Sequence, residues 1–211
     1  KDPSTSTKEI MIAYPLTPIP KHRVGDRFGM IPRDPTKKNK MTWRKHVGLD
    51  IAGGKSEGDE IFASHDGKVV RAEFSEGNFG NVVVIQSSNK KFFTIYAHMK
   101  DNPSKLRGKE VKKGKVIGRI GATGNTVGPH LHFELRIGGG SKPWSYLKAK
   151  PVDPVPYFTG PVPRGIYFKH SGETLSKKNL LKLKKQDQMD REKQLGTDYL
   201  KSLKETGFIS A

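Results

Sequence analysis

Between residues 60 and 137 the chain breaks into short runs of β-branched and aromatic residues: "GKVVRAEF", "GNVVVIQSS", "KFFTIYAHM", "GKVIGRIG" and "HLHFELRI". Each is bounded by Gly, Asn, Asp or Lys, the signature of strands closed by turns. The connections are too short for the crossover helices that a parallel sheet requires. The expected fold is therefore mainly β, with antiparallel strands meeting as two sheets or one strongly curved sheet. A chain of 211 residues has room for such a core and an appendage.

The flanks differ in composition. Residues 1–13 open with the polar "KDPSTSTKE" and read as a linker or frayed terminus. A Pro- and Lys-rich approach follows, in which each proline removes a donor and restricts its predecessor, so no long helix is expected there. The segment "PVDPVPYFTGPVPRG" marks the end of the β domain, which is placed at residues 14–158. Residues 159–211 then form a Pro-rich linker and a basic α-helical extension. Two short helices are expected in it, carrying Leu180, Leu183, Leu195, Tyr199 and Leu203 as an apolar stripe, with a break at Gly196 and Thr197. That extension would pack on its own domain, dock a partner such as a virion assembly, or lie on an anionic surface.

A formal charge of +18 predicts attraction to polyanions: nucleic acid, anionic lipid or anionic wall polymers. No aromatic RNA-binding signature, Cys/His finger or basic zipper is present, so specific nucleic-acid recognition is not expected. The absence of cysteine excludes disulfides and thiolate metal sites, leaving any metal to nitrogen and oxygen ligands. No apolar run approaches the roughly 20 residues that cross a bilayer as a helix. A chain opening at Lys1 without a signal-peptide core reads as a soluble piece of something longer.

Chemistry concentrates in the histidines. Strand alternation puts Leu131, Phe133, Leu135 and Ile137 of "HLHFELRI" on a core face. His130, His132, Glu134 and Arg136 go to the opposite face, pointing away from the core. Upstream, "HVGLD" spaces His46 and Asp50 four apart, and its glycines favour an extended or turn conformation. Together these supply three histidines and one carboxylate, a mixture that zinc accepts with a position left open for water. His98 ends "FFTIYAHM", where alternation gives it the face of Phe92, Thr94 and Tyr96. Read singly, HxH is an exposed polar face, HxGxD a loop contact and His98 a structural histidine. Glu134 reads as an exposed carboxylate with a second option of orienting a neighbour. His22, His65 and His170 read as bystanders, His65 preceding an Asp-Gly hairpin signal.

The ordered set "HVGLDIAGG", "IFASHDGKVVRAEF", "GNFGNVVVIQ", "FTIYAHM", "EVKKGKVIGRIGATGNTVGPHLHFELR" and "PVDPVPYF", approached by "RFGM", resembles the M23 metallopeptidases over about residues 14–158. These are lysostaphin-like, or LytM-type, peptidoglycan endopeptidases. The resemblance implies a two-sheet LytM-like domain holding one Zn2+ through His46, Asp50 and His132, with His98 and His130 as catalytic histidines. It further implies bacterial peptidoglycan as substrate, at the cell wall or outside the cell, or on a virion as a phage-associated lysin. Non-catalytic relatives lose some of the five positions, and all five are present here.

Three other readings fit less well. A D-Ala-D-Ala peptidase that also ends in HxH spaces the first His and Asp more widely and carries an upstream Glu. The two-His-one-carboxylate iron triad spaces its first His and carboxylate two apart rather than four. A non-catalytic peptidoglycan-binding or virion module would tolerate loss of a ligand, and none is lost.

Overall fold

The structure is a computed structural model that describes residues 10–17, 22–32, 43–52 and 56–159. The strands β1 (Ile12–Ala13), β2 (Arg23–Val24), β3 (Gly29–Pro32), β4 (Trp43–His46) and β5 (Leu49–Ala52) come first. They are followed by β6 (Glu60–Phe62), β7 (Gly67–Ser75), β8 (Gly80–Ser87) and β9 (Phe92–Met99). The remainder are β10 (Glu110–Val111), β11 (Val116–Arg119), β12 (Leu131–Ile137), β13 (Lys150–Val152) and β14 (Phe158–Thr159).

One eight-stranded sheet runs in the order β10, β7, β8, β9, β12, β5, β2, with β13 also paired to β12. Every pairing in it is antiparallel. Two-stranded ladders, β6 with β11 and β1 with β14, lie over one face. They close the main core, in which Leu131, Phe133 and Leu135 of β12 meet Tyr96, Ile61, Ile117 and Ile12. The expected mainly β, antiparallel architecture is what the chain adopts. The helical extension expected within 159–211 lies outside the described residues.

Two features differ from expectation. The face of β12 that alternation turns away from the core is itself covered. A second apolar cluster of Val82, Val84, Phe93, Ile95 and Ala97 lies under Tyr146 and Ala149, from the segment after β12. Both β8 and β9 are consequently buried along their whole length, and Glu134 has no exposed surface. The packed part also starts before residue 14. Ile10 and Ile12 are buried, and β1 pairs in parallel with β14, Ile12 opposite Phe158. Burying such a side chain is worth roughly 2 kcal/mol, enough to hold a two-residue strand whose polar neighbours resemble a linker.

His65, expected as a bystander, is buried and wired into the main core. Its Nδ1 lies 2.9 Å from the Asp66 carbonyl and its Nε2 2.8 Å from Thr94 Oγ1. Thr94 in turn donates to the Tyr96 hydroxyl, which accepts from the Ser64 backbone N–H. Burial pushes the His65 imidazole down to about 4, against the smaller opposing pull of Asp66. The unfolded chain binds that proton near pH 6.5 and the folded one does not, so stability is complete above pH 6.5 and falls between 6.5 and 4. The slope expected from one such group is roughly 1.4 kcal/mol per pH unit. In urea denaturation across pH 7 to 4.5, a His65→Gln variant should lose less stability on acidification than the wild type. Equal slopes would exclude this role for His65.

Candidate metal centre

The register between β5 and β12 sets Asp50 directly opposite His132. His46, at the end of β4, reaches the same point through the short turn at Val47 and Gly48. His132 Nδ1 lies 2.7 Å from Asp50 Oδ1 and 3.2 Å from His46 Nε2. His46 Nε2 lies 3.2 Å from the same Asp50 oxygen. Zinc–nitrogen bonds of about 2.0–2.1 Å in a tetrahedral site separate donors by about 3.3 Å, close to this triangle. These are also the only three described residues found to converge as a metal-binding group. The donor set therefore fits zinc.

Backbone carbonyls fix the roles of the ring nitrogens. His46 Nδ1 donates to the Arg27 carbonyl at 2.8 Å, which leaves Nε2 as the inward lone pair. The "RFGM" segment thus contributes a carbonyl. Gly48 has a steric reason to be glycine, since a Cβ there would lie 2.6 Å from His132 Cε1 and 2.8 Å from the Phe133 carbonyl oxygen. His132 itself is clamped from both sides, Nδ1 by Asp50 and Nε2 by Glu134 Oε1 at 3.0 Å. Burial alone would lower the pKa of His132, but its hydrogen bonds to the two carboxylates outweigh that and push it up to about 9. Burial likewise opposes ionisation of Asp50, yet His132 and His46 hold its carboxyl well below the usual range.

His98 and His130 stand beside this triangle with ring centroids 4.7 Å apart. The His98 ring is 5.9 Å from that of His132, and His130 Nε2 is 3.7 Å from Asp50 Oδ2. Strict alternation would have sent His98 to the other face with Tyr96. A β-bulge prevents this: Asn81 pairs with Met99 and Val83 with Tyr96, so Ala97 and His98 together oppose Val82. His98 takes a left-handed φ of 60°, a strain of about 1–3 kcal/mol for a non-glycine residue. Its peptide is held there by Phe79, whose carbonyl accepts from the His98 N–H at 2.9 Å. Met99 returns to the main core.

Both rings spend Nδ1 on the chain. His98 Nδ1 donates to the Thr123 carbonyl at 2.8 Å, and His130 Nδ1 sits 2.9 Å from the Gly128 carbonyl and 3.1 Å from Thr126 Oγ1. Burial pushes His98 down to about 4, the Thr123 bond opposing it only in part. It is neutral near pH 7 and offers Nε2 as a proton acceptor. The structure thus brings all five expected residues together. His65 and His22 are placed elsewhere, His22 against Asp59 at 2.7 Å, and His170 lies outside the described residues. Sequence reading undervalued Glu134, although its even spacing from His132 was a usable signal. The carbonyls of Arg27, Thr123 and Gly128 carry no side-chain signal at all.

The tight seat of His132 over Gly48 yields a direct test. Gly48→Ala should displace the His132 ring and weaken zinc binding by at least tenfold, read by competition with a chromophoric chelator. Wild-type affinity in this variant would show that the ring is not seated as described.

A family model described as "Peptidase family M23" matches residues 44–154. The DD-carboxypeptidase/endopeptidase Mpg of Neisseria meningitidis is 40% identical over 114 residues, 54% of this chain and 23% of that protein. The murein hydrolase activator NlpD of Escherichia coli is 41% identical over 101 residues, 47% of this chain and 25% of that protein. The chain thus matches about a quarter of the length of these curated relatives. Among solved structures, the catalytic domain of the antimicrobial peptidase lysostaphin from Staphylococcus simulans aligns with a TM-score of 0.50 at 28% identity. That alignment covers 64% of this chain and 91% of the lysostaphin domain.

Proposed function

The chain belongs to peptidase family M23, and on that premise we propose that it is a zinc-dependent endopeptidase cutting the stem or cross-bridge peptides of bacterial peptidoglycan. The observation that carries this reading is the convergence of His46 Nε2, Asp50 Oδ1 and His132 Nδ1 beside two further imidazoles with inward-facing Nε2 atoms. A bound zinc supplies Lewis acidity at that point, polarising a peptide carbonyl and acidifying a water.

The protein's own groups do the rest. His98, neutral and locked by Thr123, accepts a proton at Nε2 when water attacks the scissile carbonyl. His130, anchored through its Nδ1–H by the Gly128 carbonyl, presents its Nε2 lone pair toward the same point near Asp50, where it orients the attacking water and shares in carrying its proton. The leaving amine then recovers a proton from the same pair of imidazoles. Phe79, with its ring 6.0 Å from that of His132, adds an apolar side chain beside the centre. The catalytic domain is assigned to the described residues between Ile10 and Thr159. The place of action is the cell wall, where the positive charge of the chain favours anionic wall polymers. No helix among the described residues is long and apolar enough to cross a membrane.

The name of the relative NlpD as an activator supports the contrary reading of a domain that binds peptidoglycan without cutting it. Purified walls of differing cross-bridge chemistry, digested and analysed by mass spectrometry, separate the two. New N-termini should appear with the wild type and name the bond. His132→Ala should lose both zinc and cleavage, whereas His98→Ala should keep stoichiometric zinc and lose roughly 10²–10⁴-fold in rate. Walls bound but uncut by the zinc-loaded wild type would overturn the enzymatic reading. Zinc lost equally from both variants would overturn the role given to His98.

A further inference from the structure

Glu134 is fully buried, on the sheet face lined by Ile95 and Phe93, the residues its strand pairs with at Glu134 and Arg136. A carboxylate in such a place costs several kcal/mol unless its oxygens are matched by donors. Here they are divided: Oε1 accepts from His132 Nε2 at 3.0 Å and Oε2 from Arg136 Nε at 2.6 Å. Arg136 is itself tied down, its guanidinium donating to the Tyr146 carbonyl at 3.2 Å. That carbonyl belongs to the 3-10 turn Pro143–Leu147, whose Tyr146 ring packs on Phe93. A continuous chain of hydrogen bonds therefore runs from the packed turn through Arg136 and Glu134 to His132.

A buried ion pair of this kind is poor evidence for stability, since well-packed apolar residues would serve at least as well. Its geometry fits another purpose. By accepting a hydrogen bond from Nε2–H, Glu134 keeps that proton on Nε2 and leaves the Nδ1 lone pair for the cation, and Nδ1 is the atom beside Asp50 and His46. We propose that Glu134 is a positioning residue of the metal centre, selecting the tautomer and ring orientation of His132, and that Arg136, braced by the Tyr146 carbonyl, keeps Glu134 aimed. The proposal rests on the reading that His132 is a zinc ligand through Nδ1.

Glu134→Gln tests it with little change of volume. One amide oxygen cannot serve both donors, and the amide N–H2 then faces either His132 or Arg136. Zinc affinity of the folded variant, measured by chelator competition, should fall roughly ten- to hundredfold. The d–d absorption bands of its Co2+ form should shift in position or intensity. A merely structural role would lower the urea midpoint and leave both the affinity and the Co2+ bands of the folded protein unmoved. Affinity within twofold of wild type overturns the proposal. If Glu134→Gln fails to fold, Arg136→Gln replaces it, with a severalfold loss of zinc affinity supporting the proposal and an unchanged value overturning it. Failure of the underlying reading looks different: His132→Ala would bind zinc as tightly as the wild type.

Discussion

The antiparallel pairing of β12 with β5 is the constraint on which the rest depends. It places Asp50 opposite His132, two residues separated by 82 positions in sequence and joined at 2.7 Å in space. A slip of one residue would turn every β12 side chain to the other face and separate the carboxylate from the imidazole. The register is pinned by the core: Leu131, Phe133 and Leu135 have no exposed surface, so their burial and the placement of His132 are one and the same decision. Gly48 completes it by letting the turn after His46 pass directly beneath the His132 ring.

The second determinant is local and works against regular structure. At Ala97 and His98 the sheet gives up one step of alternation, and that bulge carries His98 to the side of His130 and His132. The backbone around it is braced on both flanks, by the Phe79 carbonyl and by the N–H of Gly121, which donates to the His98 carbonyl at 3.1 Å. Strain at this position is thus held by a rigid surround, as expected where a side chain must be aimed rather than merely buried.

Much of this was legible in the sequence, and the gaps have identifiable causes. The long strands β7, β8, β9 and β12 follow from β-branched runs between turn residues, and the shared face of His132, Glu134 and Arg136 follows from period-two geometry. The same rule misplaced His98, because a bulge leaves no pattern in a run such as "FFTIYAHM". It also left Glu134 exposed, since alternation says which residues share a face but not what later chain will cover it. The cover, Tyr146 and Ala149, comes from an irregular segment with no periodicity to read. Ile10 and Ile12 were lost to a polar neighbourhood because their strand is two residues long and its partner lies 146 positions away. His65 shows the same blindness, for an Asp-Gly turn signal says nothing about a histidine beside it bonding across to Thr94.

The central claim is that the register of two strands builds a single zinc centre from two imidazoles and one carboxylate. Zinc K-edge X-ray absorption of the purified protein measures this directly. The account predicts one zinc per chain in a shell of nitrogen and oxygen at about 2.0–2.1 Å, with outer-shell scattering from two imidazole rings that drops to one in His132→Ala protein that still retains any metal. A shell fitted by three or more imidazoles, or one unchanged by removing His132, would contradict it.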